Sequence, residues 1–229
     1  NPEQLSIIPR GVDIEYFNRK TVDEKRVNKL ITNWEIPKNT PIIMLPGRVS
    51  RWKGHELLIE SLVKLKDQLF FCVIVGPFTG KEKFKRKIEY LIRANGLCSK
   101  VKFVGDCYDM AAAYSVADIV ISASLDPEPF GRTIIEAQAM GKLVLASNHG
   151  GAVESIVEGK TGWLFEPRNS AALSDSLKNA LSLTKQKRST ISSNAQKHIK
   201  EKFSTQLMCM RTLSVYSEIL NFRLIRKNN

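Results

Sequence analysis

The sequence predicts an α/β fold built on one doubly wound parallel sheet with extra C-terminal helices, on three observations. Short apolar runs alternate with longer amphipathic segments from residue 42 to residue 165. The runs are apolar throughout rather than at every second position, as in a sheet covered on both faces. After Pro167 the pattern turns to helix alone.

Each element has its own signal. Ile42 to Leu45 reads as a strand stopped by Pro46-Gly47, and residues 54–66 follow as a helix with Leu57, Leu58, Leu62 and Leu65 on one stripe. Residues 70–75 form the next strand, ended by Gly76-Pro77. Residues 82–94 are helical, with Gly96 as the stop. Further strands fall at 101–104, 119–122, 143–146 and, last and short, 163–165. Helices cover 109–116 and 131–140, and another starts near Gly151. Asn169 or Ser170 caps a helix carrying Leu173, Leu177 and Leu181. A second covers about 187–203, and a third begins after Ser204 with Leu213, Tyr216, Leu220 and Leu224 at helical spacing. Residues 1–185 are therefore expected to form one domain. Residues 186–229 form a helical extension packing on it or on a partner domain. Right-handed crossovers place the loops after the strands along one edge of the sheet.

A chain of 229 residues, 43% hydrophobic, can bury a substantial core. No apolar stretch approaches the roughly 20 residues of a membrane span. Cys72, Cys98, Cys107 and Cys209 lack metal spacing, which points to reduced thiols and a cytoplasmic setting. The chain starts with Asn1 rather than Met, so it is expected to be a piece of something longer. Its net charge of +12, from 35 basic against 23 acidic residues, favours anionic partners. Basic knots at residues 81–87, 185–188 and 223–227 read singly as solvated faces, and together as weak attraction to an anionic membrane surface. A nucleic-acid module would interleave its cations with aromatics, and only Phe84 does so here. Nucleic acid is therefore not expected as a partner.

The chemistry gathers in the loops at the strand ends. Glu128 lies in a Pro-rich turn and Glu136 two turns into the following helix, with seven residues between them. Gly131, Arg132 and Thr133 open that helix, where unpaired N–H groups and the macrodipole attract anions. A carboxylate at the mouth, a phosphate cradle and a second carboxylate suit a sugar nucleotide. Gly47-Arg48 and Lys53-Gly54 either close on a diphosphate or form a solvated basic turn. Gly76 to Gly80 is a permissive loop, and Gly105 ends a strand abruptly where backbone could read a base edge. Gly150-Gly151 is a bare turn or a seat for a sugar. His149 is a possible ligand contact, and Glu154 reads as structural.

In this order the residues resemble a known family, the retaining family 4 glycosyltransferases of GT-B architecture. The resemblance rests on Ile8-Pro9-Arg10-Gly11-Val12-Asp13 with Phe17, Gly47-Arg48 with Lys53-Gly54, Val104-Gly105, and the Glu128 and Glu136 pair with Phe130-Gly131. It continues through Glu136-Ala137 with Met140-Gly141, Gly150-Gly151 with Glu154, and Gly159-Lys160-Thr161-Gly162, covering about residues 5–185. The chain departs from it at Val153, where many members have Pro.

The resemblance implies the Rossmann-like, C-terminal donor-binding half of such an enzyme. It implies that Arg48 and Lys53 hold the donor diphosphate, helped by backbone amides of Gly131 to Thr133, and that Gly47 and Gly105 line the nucleotide. Glu136 would accept from ribose hydroxyls and Glu128 would contact the transferred sugar. No metal or other cofactor is implied, the donor being a UDP-, GDP- or ADP-sugar. The acceptor is a glycan or a lipid-linked molecule, and the Asp126 to Arg132 segment looks like bacterial members that build lipopolysaccharide, other surface polysaccharide or glycolipid. The N-terminal GT-B domain would be absent, leaving a chain that binds nucleotide but transfers sugar poorly. The second enzyme reading is a sugar-nucleotide epimerase of similar architecture.

Overall fold

The computed structural model describes residues 5–227, with side chains as far as residue 220. Six strands, β1 (Ile42–Pro46), β2 (Phe71–Val75), β3 (Val101–Gly105), β4 (Ile119–Ser122), β5 (Leu143–Ser147) and β6 (Trp163–Phe165), pair in parallel. Their order across the sheet is β3-β2-β1-β4-β5-β6, the Rossmann arrangement.

Strands β1 and β2 are buried along their whole length, yet their residues still divide between faces. Ile43, Leu45 and Ile74 pack under α2 (His55–Val63), α3 (Glu82–Ala94) and α7 (Ser170–Ser182), against Leu58, Leu62, Ile88, Leu173 and Leu177. Ile42, Met44 and Val73 turn the other way, towards α1 (Glu24–Asn33), α4 (Met110–Val116) and α5 (Arg132–Ala139). Two cores on one sheet explain the unbroken apolar runs. Each such fully buried side chain contributes about 1.5–3 kcal/mol relative to exposure.

Helix α1 is the element the sequence reading omitted. Its signals are present: Asp23 caps it by accepting from the Lys25 N–H, and Val27, Leu30 and Ile31 share one side. They are sparse among charges, which hides the period. Helix α2 starts one residue later than expected, because Gly54 takes a left-handed conformation after a short 3-10 turn at Arg51–Lys53.

A short helix α6 (Ala152–Ser155) follows β5, and α8 (Lys185–Lys202) then lies on α5, with Ile199 against Ile135 and Ala139. The first half of the extension thus packs on the domain's own body. Helix α9 (Thr205–Lys227) runs on with Met210, Leu213, Tyr216, Ile219 and Leu220 exposed. Leu224 and the basic residues of 223–227 belong to the same helix, but their side chains lie outside the described residues. No helix among the described residues is long and apolar enough to cross a membrane.

Candidate functional site

The connection after β1 leads to α2 on one face of the sheet, and the connection after β4 leads to α5 on the other. Loops that diverge in this way open a crevice at the carboxyl ends of the two strands. The residues singled out in the sequence collect around it.

From the β1 side comes a turn laid flat against the end of β4. Gly54 has φ +73, and a Cβ there would stand 1.8 Å from the Ala123 carbonyl oxygen, so no other residue fits. The Leu125 N–H donates to the Trp52 carbonyl at 2.7 Å and ties the two loops together. Lys53 then crosses the crevice. Its stem lies over Gly47, where a Cβ would be 3.3 Å from Cε, and its Nζ donates to Glu128 Oε1 at 2.6 Å. The ammonium also lies 4.4 Å from the centroid of the Trp52 ring.

Glu128 is held from behind as well. The Ser124 hydroxyl donates to the same Oε1. The Gly151 N–H donates to the Glu128 carbonyl at 2.8 Å. A Cβ at Gly150 would come within 2.4 Å of that carbonyl oxygen, and one at Gly151 within 2.4 Å of the Phe130 oxygen. The Gly150-Gly151 pair is therefore where the loop carrying Glu128 packs closely on backbone. His149 completes this support with Nε2 2.9 Å from the Ser124 carbonyl, and Glu154 is exposed. The Lys53–Glu128 pair is mostly buried, at 14% and 12% side-chain exposure.

On the β4 side, Gly131 at φ +77 starts α5 with no side-chain cap, leaving the helix N-terminus at Arg132 and Thr133 to a ligand. Glu136 is 8% exposed. The Tyr114 hydroxyl donates to its Oε2 at 3.0 Å, and Arg132 Nη2 to its Oε1 at 3.2 Å. Burial pushes the Glu136 carboxyl up from the usual range, while the Tyr114 hydrogen bond and the Arg132 charge pull it back. The result is a carboxylate fixed in orientation at the floor of a cleft of about 580 Å³. Gly47, Arg132, Thr133 and Glu136 line it together.

Two placements differ from the sequence reading, and one residue of the site was not in it. Gly105 lines a hollow on the β3 edge instead, its carbonyl accepting the Gly76 N–H at 2.7 Å. The β2–β3 register shifts between Ile74 and Val75, and Asp106, Cys107 and Tyr108 line the cleft. Tyr108 stands at the mouth, 94% exposed. Arg48 is exposed and lines a separate cleft on the α2 and α3 side, beyond Pro77, which borders both. Lys53 is paired with Glu128, and Arg48 lies over the neighbouring cleft. The residue absent from the sequence reading is Tyr114, although its hydroxyl orients Glu136. Among the described residues, no group of three or more His, Cys, Asp or Glu side chains could hold a metal ion.

The sequence model for glycosyl transferases group 1 matches residues 27–198. Among solved structures, a glycosyltransferase from Rickettsia africae is 38% identical with a TM-score of 0.94, covering 96% of this chain and 58% of that one. Anabaena HepE, solved with UDP, is 29% identical with a TM-score of 0.87, over 95% and 58% of the two chains. It has also been solved with UDP-glucose. Curated relatives include the D-inositol 3-phosphate glycosyltransferase of Corynebacterium glutamicum, 26% identical over 79% of this chain and 44% of its own length. They also include the lipopolysaccharide 1,2-N-acetylglucosaminetransferase of Salmonella typhimurium, 29% identical over 90% and 55%. The chain spans about half the length of these relatives.

Proposed function

The chain belongs to the glycosyl transferases group 1 family, and from that premise we propose that it is the donor-binding half of a retaining hexosyltransferase. In this reading the enzyme takes its sugar from a nucleotide diphosphate sugar and passes it to a glycan or lipid-linked acceptor, in the cytoplasm or at the inner face of the membrane. The observation that carries the proposal is the buried Glu136 carboxylate. It is fixed by Tyr114 and Arg132, one and a half turns behind an uncapped helix N-terminus. Such a floor accepts from vicinal hydroxyls while the amides of Arg132 and Thr133 meet phosphate.

Glu128, already aligned by Ser124 and Lys53, takes hydroxyls of the transferred sugar. Lys53 meets the diphosphate at the edge of Gly47 and stabilises the charge that grows as the nucleotide leaves. Arg48 adds its charge from the rim. These fixed charges do the work of a divalent ion. UDP and UDP-glucose in the HepE structures support the ligand class, and the Salmonella relative supports a lipopolysaccharide or other surface-glycan product. Most residues that grip the acceptor would come from the other half of the protein, so this chain alone binds donor and transfers little.

A thermal-shift screen of UDP-, GDP- and ADP-glucose, with and without EDTA, tests this. A ligand at about 100 times its Kd adds about 2.7 kcal/mol of stability, so one base is expected to raise Tm by several degrees, unchanged by the chelator. No shift with any of the three would refute the reading, and a shift abolished by EDTA would refute its metal independence.

A further inference from the structure

We propose that the second cleft, on the α2 and α3 side of the crevice, is a subsite for the acceptor and selects a sugar bearing phosphate or carboxylate. The acceptor's identity rests on the donor reading above, whereas the preference for anions stands on the cleft alone. The cleft encloses about 910 Å³ between the turns after β1, β2 and β4 and the turn before α7. Trp52 and Phe84 give it an aromatic wall, and Arg48, Arg51, Lys81 and Arg168 stand around it.

Asp126 is the one acid among its lining residues, and Arg168 Nη2 already donates to its Oδ1 at 2.7 Å. Arg51 and Lys81 have no ion-pair partner among the described residues. Arg168 holds a left-handed backbone, φ +61, which is uncommon for a residue with a side chain. Unneutralised cations around an aromatic wall suit a ring that lies on the indole while its anionic substituent meets a guanidinium. They do not suit a neutral sugar alone.

Position links this cleft to the reaction. Trp52 precedes Lys53, and Asp126 stands two residues before Glu128. The Leu125–Trp52 hydrogen bond joins these two walls directly beside the Lys53–Glu128 pair. A molecule seated against Trp52 is therefore next to the sugar that Glu128 holds, the proximity that transfer needs.

The test is to titrate glucose 6-phosphate, glucuronate and glucose into the UDP-saturated chain while following the Trp52 indole N–H signal by NMR. Both anions are expected to move that signal, with glucose at least about tenfold weaker, as for loss of a hydrogen bond to a charged group. The double variant Arg51→Ala, Lys81→Ala is expected to weaken the anions about a hundredfold, about tenfold per cation, and to leave UDP affinity within about twofold. Glucose binding as well as the anions would overturn the proposal, as would a matching loss of UDP affinity in the double variant. So would phosphatidylglycerol vesicles capturing the chain through these residues while neither anion binds, which would mark a membrane-facing surface instead. If UDP does not bind at all, the donor reading fails, and the same titrations without UDP still decide whether the cleft selects anions.

Discussion

Lys53→Ala is expected to lower Tm by roughly 10 °C and to abolish the donor response in the same protein. The Lys53 and Glu128 side chains are only 14% and 12% exposed and lie 2.6 Å apart. Removing one partner of such a pair strands the other charge, which costs about 3–5 kcal/mol. At roughly 2–4 °C per kcal/mol for a chain of this size, the shift is large enough to read directly. The Ser124 hydroxyl still donates to Glu128 and softens the loss.

A second variant separates stability from function. Lys53→Met with Glu128→Gln leaves no buried charge unpaired, so it is expected to recover most of the lost Tm while the response to donor stays absent. Differential scanning fluorimetry and titration calorimetry on the two variants check both halves. An unchanged Tm for Lys53→Ala would show that the pair is not formed in solution. Full donor affinity in the double variant would remove both residues from the site.

The next largest effect is expected at Glu136. Each hydrogen bond to a charged group contributes about 1.5–3 kcal/mol, so an acceptor of two ribose hydroxyls gives Glu136→Ala a nucleotide Kd about 100-fold or more weaker. Tyr114→Phe keeps the carboxylate but removes the donor that orients it, a buried hydroxyl 3.0 Å from Oε2. It is expected to weaken nucleotide binding about tenfold. A general loss of packing would produce the same numbers, so the discriminating ligand is 2′,3′-dideoxy-UDP. Wild type is expected to bind it about as poorly as Glu136→Ala binds UDP, and Glu136→Ala is expected to lose nothing further on the deoxy ligand. If the variant discriminates UDP from its dideoxy form as well as wild type does, Glu136 does not read the ribose.

The sheet and most of its helices were legible because burial on both faces leaves continuous apolar runs, and Ile42 to Leu45 and Phe70 to Val75, short and bounded by Pro and Gly, read as strands on that signal. The glycines were legible as turns but not as to what they approach. Gly54 and Gly150 exist for carbonyls of other loops, at Ala123 and Glu128, which no local pattern reports. Tyr114 sits in an Ala-rich helix 22 residues before Glu136, and only their shared place in the core on one face of the sheet makes them partners. Residues 106–108 carry no motif, and they line the cleft just past an irregular β2–β3 register that no local pattern reports. The direction of Arg48 depends on Gly47, one residue earlier at φ +137, and spacing along the chain says nothing of it.

The most direct measurement is a crystal structure of this chain with UDP-glucose. The ribose hydroxyls are expected against the Glu136 carboxylate, the diphosphate at the Arg132 and Thr133 amides beside Lys53, and the glucose over Glu128. A nucleotide lying instead between Trp52 and Arg168, with the Glu136 carboxylate still bonded only to Tyr114 and Arg132, would contradict the account.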